Sequence, residues 1–403
     1  MRASGRFSAD GQDDVARVRD AADIVRIVGE YVRLKPAGRE FKGLCPFHDD
    51  HNPSMAVVPH KGIFHCFVCG AGGDSIAFVR RYLKMEFREA LEFLAEKLGV
   101  QLTPRRRESS DRPEVAGTSR QDLLKANAVA AGFYRTLLSH PEHGAVARRV
   151  VEKRGILPEI SERFLLGTSP GADRWDGLQQ YIRSKGLLES TFAEAGLLKQ
   201  RESGGSYDAF RNRLMFPIQD AGGRVIAFGA RRLDDADEPK YLNSPETRLF
   251  VKKATLYGLN HASKAIQKER TAILTEGYMD TIACHQAGVE NAVAALGTSL
   301  TREHAAVLRR FCTRVVLLFD GDDAGQRAAD RAVEVFFAEP LDVKIATLKT
   351  WTDAKDPDEL LKREGGREIF DRAIDKAEDL LTYRFRRLRA NLEGGGIAAV
   401  SQG

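Results

Sequence analysis

Residues 271–325 read TAILTEGYMDTIACHQAGVENAVAALGTSLTREHAAVLRRFCTRVVLLFDGDDAG, and their rhythm decides the fold. Short apolar runs, TAILTE, NAVAAL and RVVLLFD, alternate with helical stretches near 278–288 and 301–311. A further helical stretch at 324–338, the run DVKIATL from Asp342 and helical character over 357–380 continue the pattern. Strand–helix alternation at this spacing predicts a mostly parallel sheet with helices on its faces. Three acidic clusters stand at or just beyond strand ends: Glu276 and Asp280 in EGYMD, Asp320, Asp322 and Asp323 in DGDDAG, and Asp356 and Asp358 in DPD. In an open parallel α/β sheet such positions meet in one crevice. Two carboxylates 4 Å apart repel by about 4 kcal/mol at an effective dielectric of 20. A divalent cation relieves that repulsion, and hard oxygen ligands without Cys or His suit Mg²⁺ or Mn²⁺. Such ions carry nucleotide phosphates through an in-line displacement. Each motif taken singly equally fits an acid-rich helix N-terminus; all three at strand ends favour a metal site holding more than one ion.

Working outward, the acidic character of this segment has a basic counterpart. The whole chain of 403 residues carries a formal charge of +5. Counted by segment, residues 199–270 carry +5 and residues 271–403 carry −4. Adjacent blocks of opposite sign suggest one surface for polyanions and another for cations. The basic block includes strand-like runs RLMFPIQD and RVIAFGARRL and follows helical stretches at about 121–165 and 174–197. Residues 103–120, TPRRRESSDRPEVAGTSR, have almost nothing to bury and read as a flexible linker, with Arg105 to Arg107 a solvated charge run. The closing GGGIAAVSQG reads as a frayed end.

Before the linker lies a different chemistry. Of five cysteines, Cys284 and Cys312 read as buried core thiols, and the other three fall into CPFH (Cys45, His48) and CFVC (Cys66, Cys69). Two such pairs build a closed tetrahedral shell, which is how a single structural Zn²⁺ is held. His51, His60 and His65 are nearby competitors for the histidine position. The side chain of His65, next to Cys66, is expected to point away, which leaves His48 as the assigned ligand. Arg39, Lys42 and Lys61 interleave with Phe41, Phe47, Phe64 and Phe67, a mixture suited to single-stranded nucleic acid. A core role fits the aromatics at least as well. An amphipathic stretch runs from Asp74 to Leu98.

Composition excludes wholesale disorder, with 43% hydrophobic residues. The N-terminus lacks a signal-peptide core, and no apolar run reaches the roughly 20 residues that span a bilayer. The expectation is a soluble, cytoplasmic protein that meets no membrane.

The Cys–His–Cys–Cys ribbon followed by GGDSIAFV resembles the N-terminal zinc domain of bacterial replicative DNA primases of the DnaG family. EGYMD, the LGTS of Leu296–Ser299, DGDDAG and DPDEL resemble the Toprim module of that family. RNRLMFPI, GRVIAFGAR, PKYLNSPET and LFVKKATLYGL resemble its basic polymerase subdomain. The resemblance covers residues 12–380 in order. It implies an α/β (overall α+β) chain with a zinc-ribbon domain at 1–103, a linker at 104–120 and a basic subdomain at 121–270. A Toprim catalytic subdomain at 271–365 and the start of a helical region at 366–403 would follow.

It further implies a DNA-directed RNA polymerase that makes short primers from NTPs on single-stranded DNA, in the replisome. Glu276, Asp320, Asp322, Asp356 and Asp358 would hold the catalytic metals. Glu276, Asp320 and Asp322 would be catalytic, Glu276 also as an acid–base group, and Asp280 would be a supporting carboxylate. Arg231, Lys240, Asn243 and Lys252, with Arg154 more loosely, would contact template or incoming nucleotide. The replicative helicase is a partner in the family, whose helicase-binding region lies beyond the Toprim core. The chain stops soon after DPDEL, so that usual binding domain is expected to be absent or cut short here, which leaves the helicase partner open. Other Toprim proteins compete with this reading. A topoisomerase would need a nucleophilic tyrosine, and Tyr278 reads as packing. A primase–helicase fusion would need a GxxxxGK[ST] loop, which is absent. A non-catalytic single-strand binder would gain nothing from the carboxylates.

Overall fold

A computed structural model describes residues 9–48, 50–83, 85–103, 118–201, 204–297, 300–319 and 341–383, with 335, 385, 386 and 389. Residues 104–117 of the expected linker (104–120), the closing GGGIAAVSQG, Thr298 and Ser299 of LGTS, and Asp320, Asp322 and Asp323 lie outside the described residues, as does the helix expected at 324–338 except residue 335. The linker's last residue, Arg120, already belongs to a helix. The chain divides into two compact units, Met1–Val115 and Ala116–Gly403.

In the first unit, β1 (Lys35–Ala37), β2 (Glu40–Gly43), β3 (Met55–Val58), β4 (Ile63–Cys66) and β5 (Gly72–Gly73) each pair antiparallel with the next. Helices α1 (Ala9–Ala21), α2 (Ile24–Gly29), α3 (Ser75–Tyr82) and α4 (Phe87–Leu98) complete a core that includes Val18, Ile27, Phe64, Phe78, Leu91 and Leu94. The amphipathic stretch is therefore two helices rather than one. Asp74 caps α3, its Oδ1 accepting from the Ala77 N–H at 2.8 Å. The chain then turns, burying Met85, so that α3 and α4 pack against each other. Phe64 and Phe78 meet edge to face at 5.2 Å, with Phe47 against both. Of the aromatics around the ribbon, Phe47 and Phe64 take the core role, and Phe67 is 75% exposed.

The second unit begins with α5 (Arg120–Ser139), capped by the Ser119 hydroxyl, then α6 (Ala145–Lys153) and α7 (Pro158–Arg163). After β6 (Gly167–Thr168), α8 (Gly177–Ser184) and α9 (Glu189–Glu194) lead into a hairpin of β7 (Leu198–Gln200) and β8 (Ser206–Asp208). The two basic-block runs form β9 (Arg213–Gln219) and β10 (Val225–Arg232), followed by β11 (Tyr241–Asn243). These make an antiparallel sheet in the order β11-β10-β9-β6. Both faces of β9 are buried, which is why its sequence is an unbroken apolar run instead of an alternating one.

The alternating segment folds as its rhythm predicts as far as Thr347, but the helical character expected over 357–380 breaks into two helices and ends in a short edge strand, Glu378–Asp379. β12 (Leu256–Tyr257) and α10 (Leu259–Glu269) precede β13 (Thr271–Thr275), α11 (Tyr278–Gln286), β14 (Ala292–Ala295), α12 (Arg302–Arg309), β15 (Arg314–Phe319) and β16 (Asp342–Thr347). Two helices, Pro357–Leu360 and Gly366–Asp375, lead to β17 (Glu378–Asp379). The sheet order is β12-β14-β13-β15-β16-β17. The four central strands are parallel, and β12 and β17 add antiparallel edges. From β13 the chain steps to β14 on one side and then to β15 on the other. That reversal opens the crevice beyond the carboxyl ends of β13 and β15.

The two sheets of this unit share a core. Leu214, Phe216 and Ile218 of β9 pack with Tyr257, Met279 and Ile282 from the parallel half. Full burial of each such side chain contributes about 1.5–3 kcal/mol. Tyr278 crosses the seam, its ring stacked on Phe216 with centroids 4.9 Å apart. Beneath it β10 presents Gly229, where a Cβ would lie 2.2 Å from the tyrosine Cζ. Tyr278 is buried and cannot swing aside freely. Gly229→Ala is expected to cost about 1–3 kcal/mol through overpacking, lowering the melting temperature by several degrees in a thermal unfolding scan. An unchanged melting temperature would show that the ring is free to move.

Candidate functional site

In the first unit the ribbon brings Cys45, His48, Cys66 and Cys69 together, with all four ligand atoms within 4.8 Å of one another. Among the described residues this is the one group of three or more such side chains at ligand spacing. The Cys45 and Cys69 sulfurs are 3.7 Å apart. A tetrahedral zinc with metal–sulfur bonds of about 2.3 Å needs sulfurs about 3.8 Å apart. His48 faces the Cys66 sulfur with Nδ1 at 3.8 Å, which makes Nδ1 the donor atom. His65 turns away and meets Phe67 edge to face at 5.0 Å, as strand alternation predicts. The donor set fits zinc and leaves no open coordination position.

Residues the motif does not contain set this pocket in place. The Asp50 carboxylate accepts from the Cys45 N–H and the Ser54 hydroxyl, each at 2.7 Å, and its other oxygen stands 3.6 Å from His48 Nε2. Burial pushes the Asp50 carboxyl up, but these hydrogen bonds outweigh it and hold the group below its ordinary range. Burial likewise opposes ionisation of Cys66, yet the Cys69 N–H, the Ser54 hydroxyl and the Val68 N–H bring its thiol down to about 6. The neighbouring Cys45 thiol is pushed the other way, first by burial, so the hydrogen bonds favour thiolate at Cys66 in particular.

In the second unit, Glu276 follows β13 directly and is exposed, and Asp280 sits in the first turn of α11. Asp356 caps the helix Pro357–Leu360, accepting from the Glu359 N–H at 2.7 Å. Asp280 is 9% exposed. Burial, then the negative charges of Asp356, Asp358 and Glu276, push its carboxyl up to about 7. Four predicted carboxylates are thus gathered, and β15 ends at Phe319, immediately before Asp320 in sequence. Burial and like charge together disfavour ionisation at Asp280, and an all-oxygen donor set of this kind suits a divalent cation. Asp358 is set apart from the others by its partners. It is 4% exposed, and its two oxygens meet Arg154 at 3.0 Å and Lys362 at 2.6 Å. Arg154 therefore ties the loop after α6 to the DPD motif.

The predicted basic residues lie on the antiparallel sheet. Arg231 on β10 pairs in register with Tyr241 on β11, its guanidinium 3.3 Å from the tyrosine hydroxyl and 5.6 Å from the ring centroid. Lys240 approaches the same ring at 5.8 Å. Tyr241 lies within electrostatic range of both Asp280 and Arg154, so this strand borders the carboxylates. The Asn243 amide is held between the halves, accepting from the Tyr278 hydroxyl at 2.5 Å and donating to the Leu296 carbonyl at 3.0 Å. Tyr278 packs, as its sequence context predicts. Lys252 is fixed through its backbone, donating to Glu246 and accepting from His304.

One surface cluster has no readable sequence signal. Trp175, half exposed, lies under the Arg211 guanidinium at 3.9 Å, with Tyr207 5.9 Å away and Arg201 over the Tyr207 ring at 5.6 Å. The Asp208 N–H donates to the Trp175 carbonyl at 2.9 Å, and Arg211 donates to the Asp208 carbonyl at 3.0 Å, so β8 holds the loop in place. A half-exposed indole beside a guanidinium suits unstacked bases and their phosphates.

Comparison with known proteins covers the same segments. Residues 11–110 match the CHC2 zinc finger family, residues 133–263 the N-terminal domain of the DNA primase catalytic core, and residues 273–361 a Toprim-like family. The chain is 39% identical to the DNA primase of Halalkalibacterium halodurans over 389 residues, covering 96% of this chain and 63% of that protein. With the DNA primase of Streptomyces coelicolor it shares 40% identity, over 94% of this chain and 59% of the relative. It therefore spans about three fifths of the length of these curated relatives. Among solved structures it is similar to the zinc-binding and RNA polymerase domains of the Aquifex aeolicus primase. That match has a TM-score of 0.62 and 35% identity, covering 94% of this chain and 89% of the other. A DnaG primase catalytic domain bound to ssDNA matches with TM-score 0.60 and 39% identity, over 67% of this chain and 85% of that one. Among the described residues no helix is long and apolar enough to cross a membrane.

The zinc pocket generates its own test. Metal analysis is expected to find about one zinc per chain, lost in Cys66→Ser. Asp50→Ala is expected to keep the metal but weaken it by about 10–100-fold, read by chelator competition. Unaltered competition would remove Asp50 from the pocket's support.

Proposed function

The chain belongs to the DnaG-type family of bacterial DNA primases, and from that membership we propose that it synthesises short RNA primers on single-stranded DNA. The observation that carries this reading is the neighbourhood of the crowded carboxylates and the basic strand pair β10–β11, which supports nucleotidyl transfer between phosphate-bearing substrates. NTPs are the proposed substrates, and the site of action is the cytoplasmic replication fork.

Glu276, Asp320, Asp322 and Asp356 are proposed to hold Mg²⁺ or Mn²⁺, with Asp280 supporting them and Asp358 shared with Arg154 and Lys362. Bound there, the ions neutralise phosphate charge and favour the attacking oxygen. Arg231, Lys240 and Lys252 orient triphosphate and template by charge. The 3′-hydroxyl of one nucleotide attacks the α-phosphorus of the next, forming a P–O bond while pyrophosphate leaves. Glu276, exposed at the end of β13, is the proposed acceptor of the hydroxyl proton. Trp175, Tyr207 and Arg211 extend the template path by stacking on unpaired bases.

With single-stranded template, NTPs and Mg²⁺, short template-dependent RNA products are expected. Absence of product with every template and with both metals would sink the reading. Asp320→Asn is expected to abolish synthesis while leaving DNA affinity essentially unchanged. Trp175→Ala is expected to weaken single-strand binding by about 1–3 kcal/mol, measured by fluorescence anisotropy; equal affinity would take Trp175 off the template path.

A further inference from the structure

We propose that Tyr278 is a positioning residue, whose hydroxyl pins the basic strand pair to the carboxylate site through Asn243. Its place in the chain is what gives the bond leverage. Tyr278 lies between Glu276 and Asp280, at the start of α11. Its ring is stacked on Phe216 of β9 and meets Tyr257 at 4.7 Å, nearly perpendicular. The ring alone therefore fills the seam, and the hydroxyl is not needed for packing. That hydroxyl donates to Asn243 Oδ1 at 2.5 Å, and the Asn243 amide group donates to the Leu296 carbonyl at 3.0 Å. Leu296 directly follows β14, and the next residue, Gly297, turns with φ +66°.

One carboxamide thus joins the segments that leave β13 and β14 to the last residue of β11. Asn243 also pairs in register with Gly229, two residues from the Arg231–Tyr241 pair. A slip of β11 against α11 moves Arg231 and Lys240 relative to Glu276 and Asp280. Phosphoryl transfer is sensitive to such slips, because a misplacement of about 1 Å can cost 10²-fold in rate. On this proposal the Asn243 amide, engaged by Tyr278 and Leu296 within the protein, acts through the tyrosine. This assigns Asn243 a different part from the template or nucleotide contact implied by family resemblance.

The inference rests on the primer-synthesis reading, and its test separates the two. Tyr278→Phe keeps the ring and removes only the hydroxyl, so folding is expected to survive. For dinucleotide synthesis, kcat is expected to fall about tenfold, the equivalent of ~1.4 kcal/mol, with KM for NTP and affinity for single-stranded DNA unchanged. Asn243→Ala is expected to match it, and the double variant to be no worse than either single one. Independent of turnover, the affinity of the whole chain for Mn²⁺, read by electron paramagnetic resonance, is expected to fall severalfold in Tyr278→Phe. Losses that multiply in the double variant, or a raised KM in Asn243→Ala, overturn the proposal in favour of direct contact. Unchanged kcat with unchanged Mn²⁺ affinity also overturns it. A wild-type chain that makes no product would sink the synthesis reading alone, and the Mn²⁺ measurement would then decide this one.

Discussion

Carboxylates gathered at one end of a parallel sheet repel one another, and much of the second unit is arranged around that repulsion. The strand order places the loop after β13 at the reversal point, where Glu276 and Asp280 emerge. Asp356 and Asp358 arrive from the loop after β16 and add their charge, enough with burial to raise Asp280 to about 7. Part of the burden is met within the protein by Arg154 and Lys362 on Asp358. A divalent cation among the other acids would lower the repulsion further. Hydrophobic burial behind the site holds the acids where repulsion would otherwise spread them.

The first unit solves a different problem by a similar route. Its strands are two to four residues long. Such a small sheet gains little from burial alone. A structural zinc in a finger-like module contributes about 10–16 kcal/mol, comparable to the whole stability of a typical domain. Asp50 and Ser54 brace the ligand residues Cys45 and Cys66 through hydrogen bonds. The knuckle that closes the pocket also leaves Phe67 outside the core, where its ring is available to a partner.

What was legible in the sequence follows from how local each signal is. The zinc quartet is written in two spacings of three residues, and its geometry matches a tetrahedron. The parallel sense of β13, β14, β15 and β16 was legible because apolar runs alternate with helical stretches, whereas their order across the sheet comes only from the structure. The break inside 74–98 was not, since Val79, Leu83, Phe87 and Leu91 keep a spacing of four across it. Only the buried Met85 reveals that the chain turns there. Arg154 and Asp358 are 204 residues apart, and no local pattern joins them. The Trp175 cluster is assembled from a loop, a hairpin and a strand approach, each unremarkable alone. Asn243 was legible as a functional position, but its partners Tyr278 and Leu296 emerge only when both sheets are packed.

The neutral seam explains how opposite charge blocks can lie side by side without cancelling. Were β10 and β11 joined to α11 by salt bridges, the charge of Arg231 and Lys240 would be spent on the acids. The join uses a tyrosine ring, a glycine that admits it and one neutral amide. Neutral hydrogen bonds are directional and indifferent to ionic strength, unlike exposed ion pairs. Arg231 and Lys240 instead flank the Tyr241 ring, an arrangement that leaves their charge intact. Ion pairs do cross elsewhere, Lys253 to Glu303 at 3.0 Å and Arg154 to Asp358 at 3.0 Å. The Arg154 pair ties the DPD loop down while the strand pair β10–β11 keeps its charge, so the halves are held together without drawing on Arg231 or Lys240.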